Sequence, residues 1–334
     1  MKTVELVAPK RLELAGRNDP RPGPGEVRIA VSVVGICGTD MEFYRGRRTP
    51  PDARFVLGHE CSGRIDAIGP GVADWEIGTA VTVRPNFGCG DCPLCREGRD
   101  NVCPNGRGLG VTIGGCLAEF VVVPARYVWR VPDGMDLETA ALIEPTAVAE
   151  RAVRRAGAVS GRCVLVLGAG TIGLLVLQVA SRLGAEVSVV DPVPERRRRA
   201  AELGAVCATD PGDERSATGR FDVVIETAGV PETVSAAVER VKPCGRVVLT
   251  GIPMDPASVA TRWIVWRELE LVGSFVYELS DFARASERLA SGEVRACDLI
   301  TGRYPLDGAA EAFASVERRE GLKVLINLRE EASR

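Results

Sequence analysis

Several features are scarce or missing in this chain of 334 residues. The apolar stretch 173–180 is interrupted by Gln178 and falls short of a membrane span. The first six residues lack the apolar core of a signal peptide. A net charge of −3 provides no basic surface for nucleic acid or for an anionic membrane. These absences argue against a secreted, membrane-bound or nucleic-acid-binding protein and predict a cytoplasmic one.

Histidine occurs only once, as His59 in the segment Gly58-His59-Glu60. A single histidine is more often a structural residue than a metal ligand, so its surroundings decide the interpretation. Cys37 ends an apolar strand upstream, and Glu144 closes a helix-like run downstream. A thiolate, an imidazole and a carboxylate from separate segments suit a catalytic Zn²⁺ site, which has three protein ligands and one open position.

Cysteine, by contrast, is abundant, with eleven residues and no secretory signal. Reduced thiols and metal ligation are therefore expected rather than disulfides. Four cysteines follow the spacing C-x2-C-x2-C-x7-C, at Cys89, Cys92, Cys95 and Cys103. Four thiolates on one loop can close a tetrahedral structural zinc site with no vacancy for substrate. An iron–sulfur cluster also takes four cysteines and is the main alternative.

The chain changes character along its length, and 334 residues suggest two domains. Residues 1 to about 135 predict short strands between glycine and proline turns, an all-β region. From residue 162 onward strands and helices alternate, which is typical of a parallel α/β sheet. The predicted strands are 26–36, 63–69, 79–83, 119–123, 163–167, 187–190, 221–225, 246–250, 269–273 and 323–328. The predicted helices are 136–144, 147–156, 171–183, 194–203, 231–241, 281–290 and 308–317.

A glycine-rich turn, Gly168-Ala169-Gly170-Thr171-Ile172-Gly173, follows an apolar strand and opens a helix. In this context G-x-G-x-x-G predicts dinucleotide binding. Gly168 permits the tight turn, and Gly170 lets the backbone approach a pyrophosphate. Gly173 allows the helix to pack closely on the strand. The pyrophosphate is expected at the helix N-terminus, beside Thr171 and Ile172, where free N–H groups favour anions.

Asp191 lies at the end of the next predicted strand, eighteen residues past Gly173. Its carboxylate would accept hydrogen bonds from the adenosine ribose and repel the 2′-phosphate of NADP, so NAD is favoured. Capping the following helix is the alternative role for Asp191. The arginine run 196–199 qualifies this preference. Such a run is usually a solvated helix face, but one guanidinium, with Arg196 as the candidate, could reach a 2′-phosphate.

Together these motifs resemble those of the zinc-dependent medium-chain alcohol and polyol dehydrogenases. The resemblance covers nearly the whole chain. It rests on segment 35–40 with Cys37, on Gly58-His59-Glu60, on the four-cysteine loop, on Glu144-Pro145 and on the glycine turn. Glutamate at position 144, rather than cysteine, places the chain nearer the sorbitol and threonine dehydrogenases than the simple alcohol dehydrogenases.

The resemblance implies an α/β protein of two domains. A GroES-like, β-rich catalytic domain is expected in residues 1–147 and 278–334, and a Rossmann NAD-binding domain in 148–277. The loops 227–229 and 251–252 and residue Ser274 follow predicted strands at the carboxyl edge of the parallel sheet, where they would support the cofactor.

The resemblance also assigns metal ligands, for two zinc ions per chain. Cys37 and His59 are implied as ligands of a catalytic zinc, and the four-cysteine loop as the holder of a structural one. Whether Glu60 or Glu144, or each in turn, provides the carboxylate ligand stays open.

Three residues are candidates for the catalytic steps. Glu60 is one of them, and Thr39 matches the hydroxyl that starts the family's proton relay, although a helix-capping threonine is compatible with that position. Many family members carry a relay histidine where this chain has Glu42. Because His59 is the only histidine, the usual relay cannot operate. Glu42 is either part of another proton route or an ordinary surface carboxylate.

The expected activity is NAD-dependent hydride transfer at a secondary alcohol of a polyol, a sugar or an aminocyclitol. NADP and a threonine-type amino-alcohol substrate are alternatives, as is a non-catalytic dinucleotide-binding protein on the same scaffold. The expected partners are a small-molecule alcohol or ketone and a second copy of the chain, in a homodimer or homotetramer formed through the edge strand at 269–275.

Overall fold

The computed structural model describes residues 1–213 and 220–329, so the last five residues of the predicted segment 278–334 lie outside the described part. The chain divides into two compact units, Met1–Glu144 with Ala296–Arg334, and Pro145–Arg295. The domain limits expected at 147/148 and 277/278 stay a prediction. The helix that the sequence placed just after residue 278 is part of the second compact unit.

Strands make up the frame of both units. In chain order they are β1 Lys2–Ala8, β2 Arg11–Gly16, β3 Glu26–Gly35, β4 Phe55–Val56, β5 Glu60–Ile68, β6 Ala80–Val83, β7 Asn86–Phe87, β8 Arg107–Gly108, β9 Phe120–Pro124, β10 Val128–Arg130, β11 Cys163–Leu167, β12 Glu186–Val190, β13 Cys207–Thr209, β14 Phe221–Glu226, β15 Val241–Leu249, β16 Glu270–Gly273, β17 Ile300–Pro305 and β18 Lys323–Asn327.

The helices of the described residues are α1 Gly38–Tyr44, α2 Pro93–Arg96, α3 Leu137–Ala141, α4 Ile143–Ala156, α5 Thr171–Arg182, α6 Pro194–Glu202, α7 Pro231–Arg240, α8 Thr261–Trp266, α9 Leu279–Ala290 and α10 Ala309–Glu317. In the part of the chain that the structure covers, none of them is both long and apolar enough to cross a membrane.

The first unit is built around β3. This strand pairs antiparallel with β5, β9 and β18 in a seven-stranded sheet, whose main path runs β10-β6-β5-β3-β18-β17. Half-buried and buried residues alternate over its first half, as expected for a strand with one covered face. The residues of its last part are all buried, so the strand delivers Cys37 from inside the unit rather than from its surface.

The first unit also contains helix α1, which the all-β prediction for its first 135 residues missed. The helix begins directly after Cys37, and Asp40 in its first turn accepts a hydrogen bond from Cys37 N at 2.9 Å. That bond satisfies a backbone donor at the start of the helix. Predicted helix 136–144 is divided between α3, which ends at Ala141, and the first residues of α4, and Asp136 caps α3 by accepting from Thr139 N at 2.8 Å.

The second unit holds a six-stranded sheet in the order β13-β12-β11-β14-β15-β16, and every neighbouring pair is parallel. Renumbered within the sheet, this is the order 3-2-1-4-5-6 of the Rossmann fold. Val164, Leu165 and Val166 of the central strand β11 are fully buried, as parallel sheets covered by helices require. The expected fold class is confirmed.

Candidate functional site

The four predicted zinc-binding cysteines lie together on one loop. Cys92 caps helix α2 and its Sγ accepts a hydrogen bond from Cys95 N at 3.4 Å. Cys103 Sγ accepts from Cys89 N, also at 3.4 Å. This N–H donor lowers the pKa of the Cys103 thiol to about 7. The hydrogen bond with Asp91 instead raises the pKa of the Cys89 thiol to about 12, so without metal the loop favours the thiolate, which is the form that binds metals, at Cys103 and not at Cys89.

The spacing of the sulfur atoms matches one zinc ion. All four lie within 4.8 Å of one another, and the Sγ–Sγ distances are 3.5 Å for Cys89–Cys103, 3.8 Å for Cys92–Cys103 and 3.9 Å for Cys89–Cys95. A regular tetrahedron with Zn–S bonds of about 2.3 Å requires sulfurs about 3.8 Å apart. An iron–sulfur cluster distributes its cysteines over several iron atoms and separates them further, so a single zinc fits better.

A second group of possible metal ligands joins Cys37, His59 and Glu60, whose ligand atoms also lie within 4.8 Å of one another. Cys37 follows β3 and Glu60 begins β5, and the pairing of these strands places Gly35 opposite Glu60. Gly58, with φ +92°, turns the chain immediately before His59. A soft thiolate, an imidazole and a carboxylate are the donor set of a zinc site that leaves one position open.

Asp40 supports both ligand-bearing segments from behind. It is buried, and it accepts hydrogen bonds from Cys37 N at 2.9 Å and from Gly58 N at 3.1 Å. Its Oδ1 lies 3.6 Å from Nδ1 of His59. No hydrogen bond joins these two atoms, so Asp40 acts on the imidazole by charge and supports the ligand segments through their backbone N–H groups.

The electrostatics of this group favour a cation. Burial alone would lower the pKa of His59, but the negative charges of Asp40 and Cys37 outweigh it and raise that pKa well above the usual value. In the absence of metal the imidazole therefore attracts a proton. The same surplus of negative charge would stabilise a bound divalent ion.

Lys323 supplies a positive charge at this group. Its ammonium nitrogen lies 2.5 Å from Oε2 of Glu60 and donates to the Ile36 carbonyl at 3.1 Å. A Cβ on Gly35 would overlap the same carboxylate oxygen, so glycine is required opposite Glu60. Lys323 and Gly35 together fix where the Glu60 side chain points.

Glu144, the other predicted carboxylate ligand, is buried but is not part of the group within 4.8 Å in the described residues. Its charge acts on both His59 and Lys323. Of the two candidate carboxylates, Glu60 is therefore the one that the fold brings to Cys37 and His59.

The two other catalytic candidates lie on α1. Thr39 is half-buried in the first turn, and since the cap position is Cys37, it is not the helix cap. Glu42 Oε1 accepts from Arg45 Nη1 at 3.1 Å, and its Oε2 lies 3.9 Å from Arg47 Nη1. Oε2 is buried and has no hydrogen-bond partner among the described residues. Glu42 is thus ion-paired through Oε1, and its Oε2 can still accept a hydrogen bond.

The glycine turn has the geometry that a pyrophosphate site needs. Gly168 has φ +100°, and a Cβ on Gly173 would overlap the Gly168 carbonyl, so both positions require glycine for reasons internal to the fold. A Cβ on Gly170 would meet nothing within 4 Å in the described residues. Glycine at that position leaves the start of α5, with Thr171 and Ile172, open to a ligand.

Asp191 is buried at the end of β12 and braces the glycine turn. Its Oδ2 accepts from Ala169 N and its Oδ1 from Val193 N, both at 2.8 Å. The second bond reaches Val193, the cap residue of α6. The position of Asp191 is therefore compatible with both predicted roles, binding the cofactor beside the glycine turn and capping the following helix. Arg196 Nη1 lies 4.0 Å from the Asp191 carboxylate.

Buried polar atoms without partners mark the carboxyl edge of the parallel sheet. Ser274 Oγ, Thr250 Oγ1 and Glu226 Oε2 have no hydrogen-bond partner in the described residues, and they follow or end the neighbouring strands β16, β15 and β14. Unpaired buried polar atoms are unusual in native proteins. Their position at the edge where dinucleotides bind fits a ligand with polar groups.

Sequence reasoning overlooked Asp40, Lys323 and Glu226. Asp40 lies three residues after Cys37, which is the spacing of a helix cap. Lys323 is one of only four lysines and opens strand β18, whose next three residues are apolar. A charged residue in such a strand is the signal that could have identified it.

Two family models match the chain. The model described as the alcohol dehydrogenase GroES-like domain matches residues 23–133, and the model described as zinc-binding dehydrogenase matches residues 171–291. The first match contains Cys37, His59, Glu60 and the four-cysteine loop. The second begins inside the glycine turn.

Individual proteins are similar over nearly the full length. The chain is 37% identical to the 2-dehydro-3-deoxy-L-galactonate 5-dehydrogenase of Pseudoalteromonas atlantica, over 98% of each chain. A zinc-binding dehydrogenase from Sinorhizobium meliloti 1021, solved with NADP, is 34% identical with a TM-score of 0.91 and 98% coverage of both chains. The structure of rspB from Escherichia coli CFT073, solved with NADH, is 32% identical with a TM-score of 0.91, covering 98% of this chain and 99% of that one.

Proposed function

The chain belongs to the zinc-dependent medium-chain alcohol and polyol dehydrogenases, and from this premise we propose that it oxidises a secondary hydroxyl of a polyol or sugar acid with NAD. The observation that carries the proposal is the convergence of Cys37, His59 and Glu60 in a chain that also has an Asp191-braced glycine turn. A dinucleotide-binding protein without catalysis has no need of the first group.

The residues present fit both cofactors of the family. Cys37, His59 and Glu60 would hold the catalytic zinc, and the four-cysteine loop would hold a structural one. When bound, zinc supplies a Lewis acid that lowers the pKa of a substrate hydroxyl, and the nicotinamide supplies the hydride acceptor. The chain's own contribution is to orient the ligands through Asp40 and to keep Glu60 in place through Lys323.

Glu60 rather than Glu144 is proposed as the direct carboxylate ligand. Glu60 lies in the group with Cys37 and His59, and Glu144 acts on His59 by charge. Glu144 would then reach the open side of the site through water. Glu60→Gln should lower zinc content at this site, whereas Glu144→Gln should leave zinc content unchanged and lower kcat. The reverse pattern would assign the ligand to Glu144.

Thr39 and Glu42 are proposed to move the proton. Thr39 lies two residues after the ligand Cys37, and its side chain carries the hydroxyl that would start the proton relay. Glu42 lies one helical turn further along α1. The unpartnered Oε2 of Glu42 supports a role as acceptor. In this proposal Glu42 favours polyhydroxy or amino-bearing substrates. The idea fails if Glu42→Gln leaves kcat/KM for such substrates unchanged.

NAD is the proposed cofactor. The Asp191 carboxylate is placed beside the glycine turn, where it would accept from the adenosine ribose hydroxyls and repel a 2′-phosphate. Arg196, 4.0 Å from that carboxylate, would partly offset the repulsion, so a smaller activity with NADP is expected. The similar structures solved with NADP and with NADH are consistent with both possibilities.

A substrate with a carboxylate is favoured within the polyol class. The relative from Pseudoalteromonas atlantica is named for a sugar acid. In this chain Arg47 and Arg48 lie three and four residues after the end of α1, and the Arg47 side chain is 57% exposed. Two guanidinium groups a short distance along the chain from the metal ligands would attract an anionic substrate.

A panel of substrates tests this proposal. Aldonates, polyols, inositols, aminocyclitols and L-threonine are each incubated with NAD or NADP, and absorbance of the reduced nicotinamide is followed. A sugar acid or polyol should give the highest kcat/KM, and His59→Ala should abolish the signal. L-Threonine as the best substrate would favour an amino-alcohol dehydrogenase, and at most one zinc ion per chain with no turnover of any alcohol would favour the non-catalytic alternative.

The chain is also proposed to act as a cytoplasmic homodimer or homotetramer. Strand β16 is an edge of its sheet, and Val265, Trp266 and Phe275 near it are 73%, 72% and 47% exposed. Covering such apolar side chains with a second copy would stabilise both. Eleven free cysteines favour a reducing compartment. Sedimentation of wild type and Trp266→Glu should give an oligomer and a smaller species, respectively.

A further inference from the structure

Glu226 is the last residue of β14 and is fully buried at the carboxyl edge of the parallel sheet. Its Oε1 accepts hydrogen bonds from Ala228 N and Gly229 N at 2.8 Å and from the Thr233 hydroxyl at 2.7 Å. One oxygen atom therefore holds the loop that follows β14 and ties it to the first turn of α7.

The loop after β15 is packed against the same residue. The Glu226 carbonyl accepts from Gly251 N at 3.1 Å. A Cβ on Gly251 would overlap Gly229 N and would also crowd the Glu226 carboxylate. Because no side chain fits between the two loops, their separation depends on their backbones and on Glu226.

Thr227 connects this assembly to the glycine turn. Its N–H donates to the Leu167 carbonyl at 2.9 Å, and its hydroxyl lies 3.0 Å from the Gly168 carbonyl oxygen. Ligands of this architecture bind where the strand order reverses, here between β11 and β14. Asp191 directly follows β12, on the adenosine side of that point. The loops after β14 and β15 therefore border the other half of the dinucleotide.

We propose that Glu226 is a positioning residue for the nicotinamide half of the cofactor and that it acts through Oε1, which fixes loop 227–229, the loop on which Gly251 packs. The proposal rests on the proposed NAD-dependent function. Oε2 has no hydrogen-bond partner within the described residues, so the organising atom is Oε1. Glutamine retains an acceptor oxygen at that place, whereas alanine leaves the N–H groups of Ala228 and Gly229 without their partner.

Binding of NADH and of ADP to the purified holoenzyme separates positioning from general disruption, because ADP lacks the nicotinamide half. Glu226→Ala should weaken NADH binding by about 10-fold and raise KM for NAD, with affinity for ADP changed by less than about 2-fold. Glu226→Gln should weaken NADH binding by at most about 3-fold. Glu232→Ala, an exposed carboxylate in the same helix start, is the matched control and should bind NADH as wild type does.

Thr233→Val removes a single donor to Oε1 and keeps the test available if Glu226→Ala does not fold. It should weaken NADH binding by about 3-fold and spare ADP. The proposal is overturned if Glu226→Ala or Thr233→Val binds NADH as tightly as wild type, or if the affinities for NADH and ADP fall together. It is also overturned if Glu226→Gln binds NADH as weakly as Glu226→Ala does. A wild-type protein that binds ADP but neither NADH nor NADPH would instead contradict the proposed function.

Discussion

The ammonium nitrogen of Lys323 lies 2.5 Å from Oε2 of Glu60, although the two residues are 263 positions apart in the sequence. Both are buried, with 2% and 1% of their surface exposed. The pair links β18, near the end of the chain, to the carboxylate that begins β5 and belongs to the metal-ligand group. A buried charge that loses its partner is strongly destabilising.

In protein without zinc at the Cys37 group, Lys323→Met should therefore lower the free energy of unfolding by about 3 kcal/mol, because it leaves the Glu60 carboxylate buried and unpaired. The double variant Glu60→Gln with Lys323→Met should recover part of that loss, since no lone charge remains. Urea unfolding followed by circular dichroism measures both. Lys2→Met, at an exposed lysine, is the control, and equal losses for the two lysine variants would refute the coupling.

The four-cysteine loop should depend on each of its sulfurs. Cys103→Ser removes one corner of the tetrahedron, so zinc content should fall by about one ion per chain and the melting temperature by several degrees. Elemental analysis and differential scanning calorimetry measure these quantities. Cys244→Ser changes an exposed cysteine and should have neither effect. Unchanged zinc in Cys103→Ser would exclude this loop as a metal site.

Asp191 should set the choice of cofactor. Asp191→Ser should lower kcat/KM with NAD by about 10- to 100-fold, because hydrogen bonds to a charged group are lost, and should raise the ratio of NADP to NAD activity. Arg196→Ala in the Asp191→Ser background should reverse part of that gain with NADP. Steady-state rates with each cofactor at saturating alcohol provide the comparison. An unaltered ratio in Asp191→Ser would show that another residue discriminates the two.

Stability of the first unit should depend on pH through Glu138 and Arg303. Arg303 Nε and Nη2 donate to Glu138 at 2.9 and 2.7 Å, and this pairing lowers the pKa of Glu138 below its usual value. Because the pKa of Glu138 is lower in the folded state, its ionised form stabilises the fold at pH values above the unfolded-state pKa of 4.5. This stabilisation is lost as the pH falls through the folded-state pKa of Glu138.

Arg303→Met should accordingly cost about 0.5 kcal/mol at pH 7, a small value because the Arg303 side chain is 53% exposed. The difference from wild type should vanish when Glu138 is protonated. Thermal melts of both proteins at pH 7 and in steps down to acid pH measure it. Arg21→Met, at an exposed arginine, serves as control, and a difference that grows toward acid pH would show that the sign is wrong.

The parts of the site that depend on local sequence were predictable. Strand β11 has the predicted bounds, 163 to 167, and the glycine turn and the four-cysteine loop form from residues close together in the chain. A turn that needs φ above zero and a loop that wraps one ion leave a direct trace in residue type and spacing.

The parts that depend on distant segments were not predictable in the same way. No sequence feature near Glu60 predicts its pairing with Lys323, because the two residues come together only when β18 joins β3 in the sheet. Helix α1 was missed because its cap position is a cysteine and its first residues, Gly38 and Thr39, are weak helix formers. Strand β15 begins at Val241, before the predicted start at 246. Its first part was not predicted as strand because Pro243 and Gly245 are unusual inside strands.

Zinc content of freshly purified protein tests the central claim most directly. Two groups of ligands predict two zinc ions per chain in wild type, and one in a variant that combines Cys37→Ala with His59→Ala. That variant should keep its affinity for NADH and lose alcohol oxidation. A wild-type protein with zinc only in the four-cysteine loop, or a double variant that still contains two ions and still oxidises its alcohol, would contradict the account.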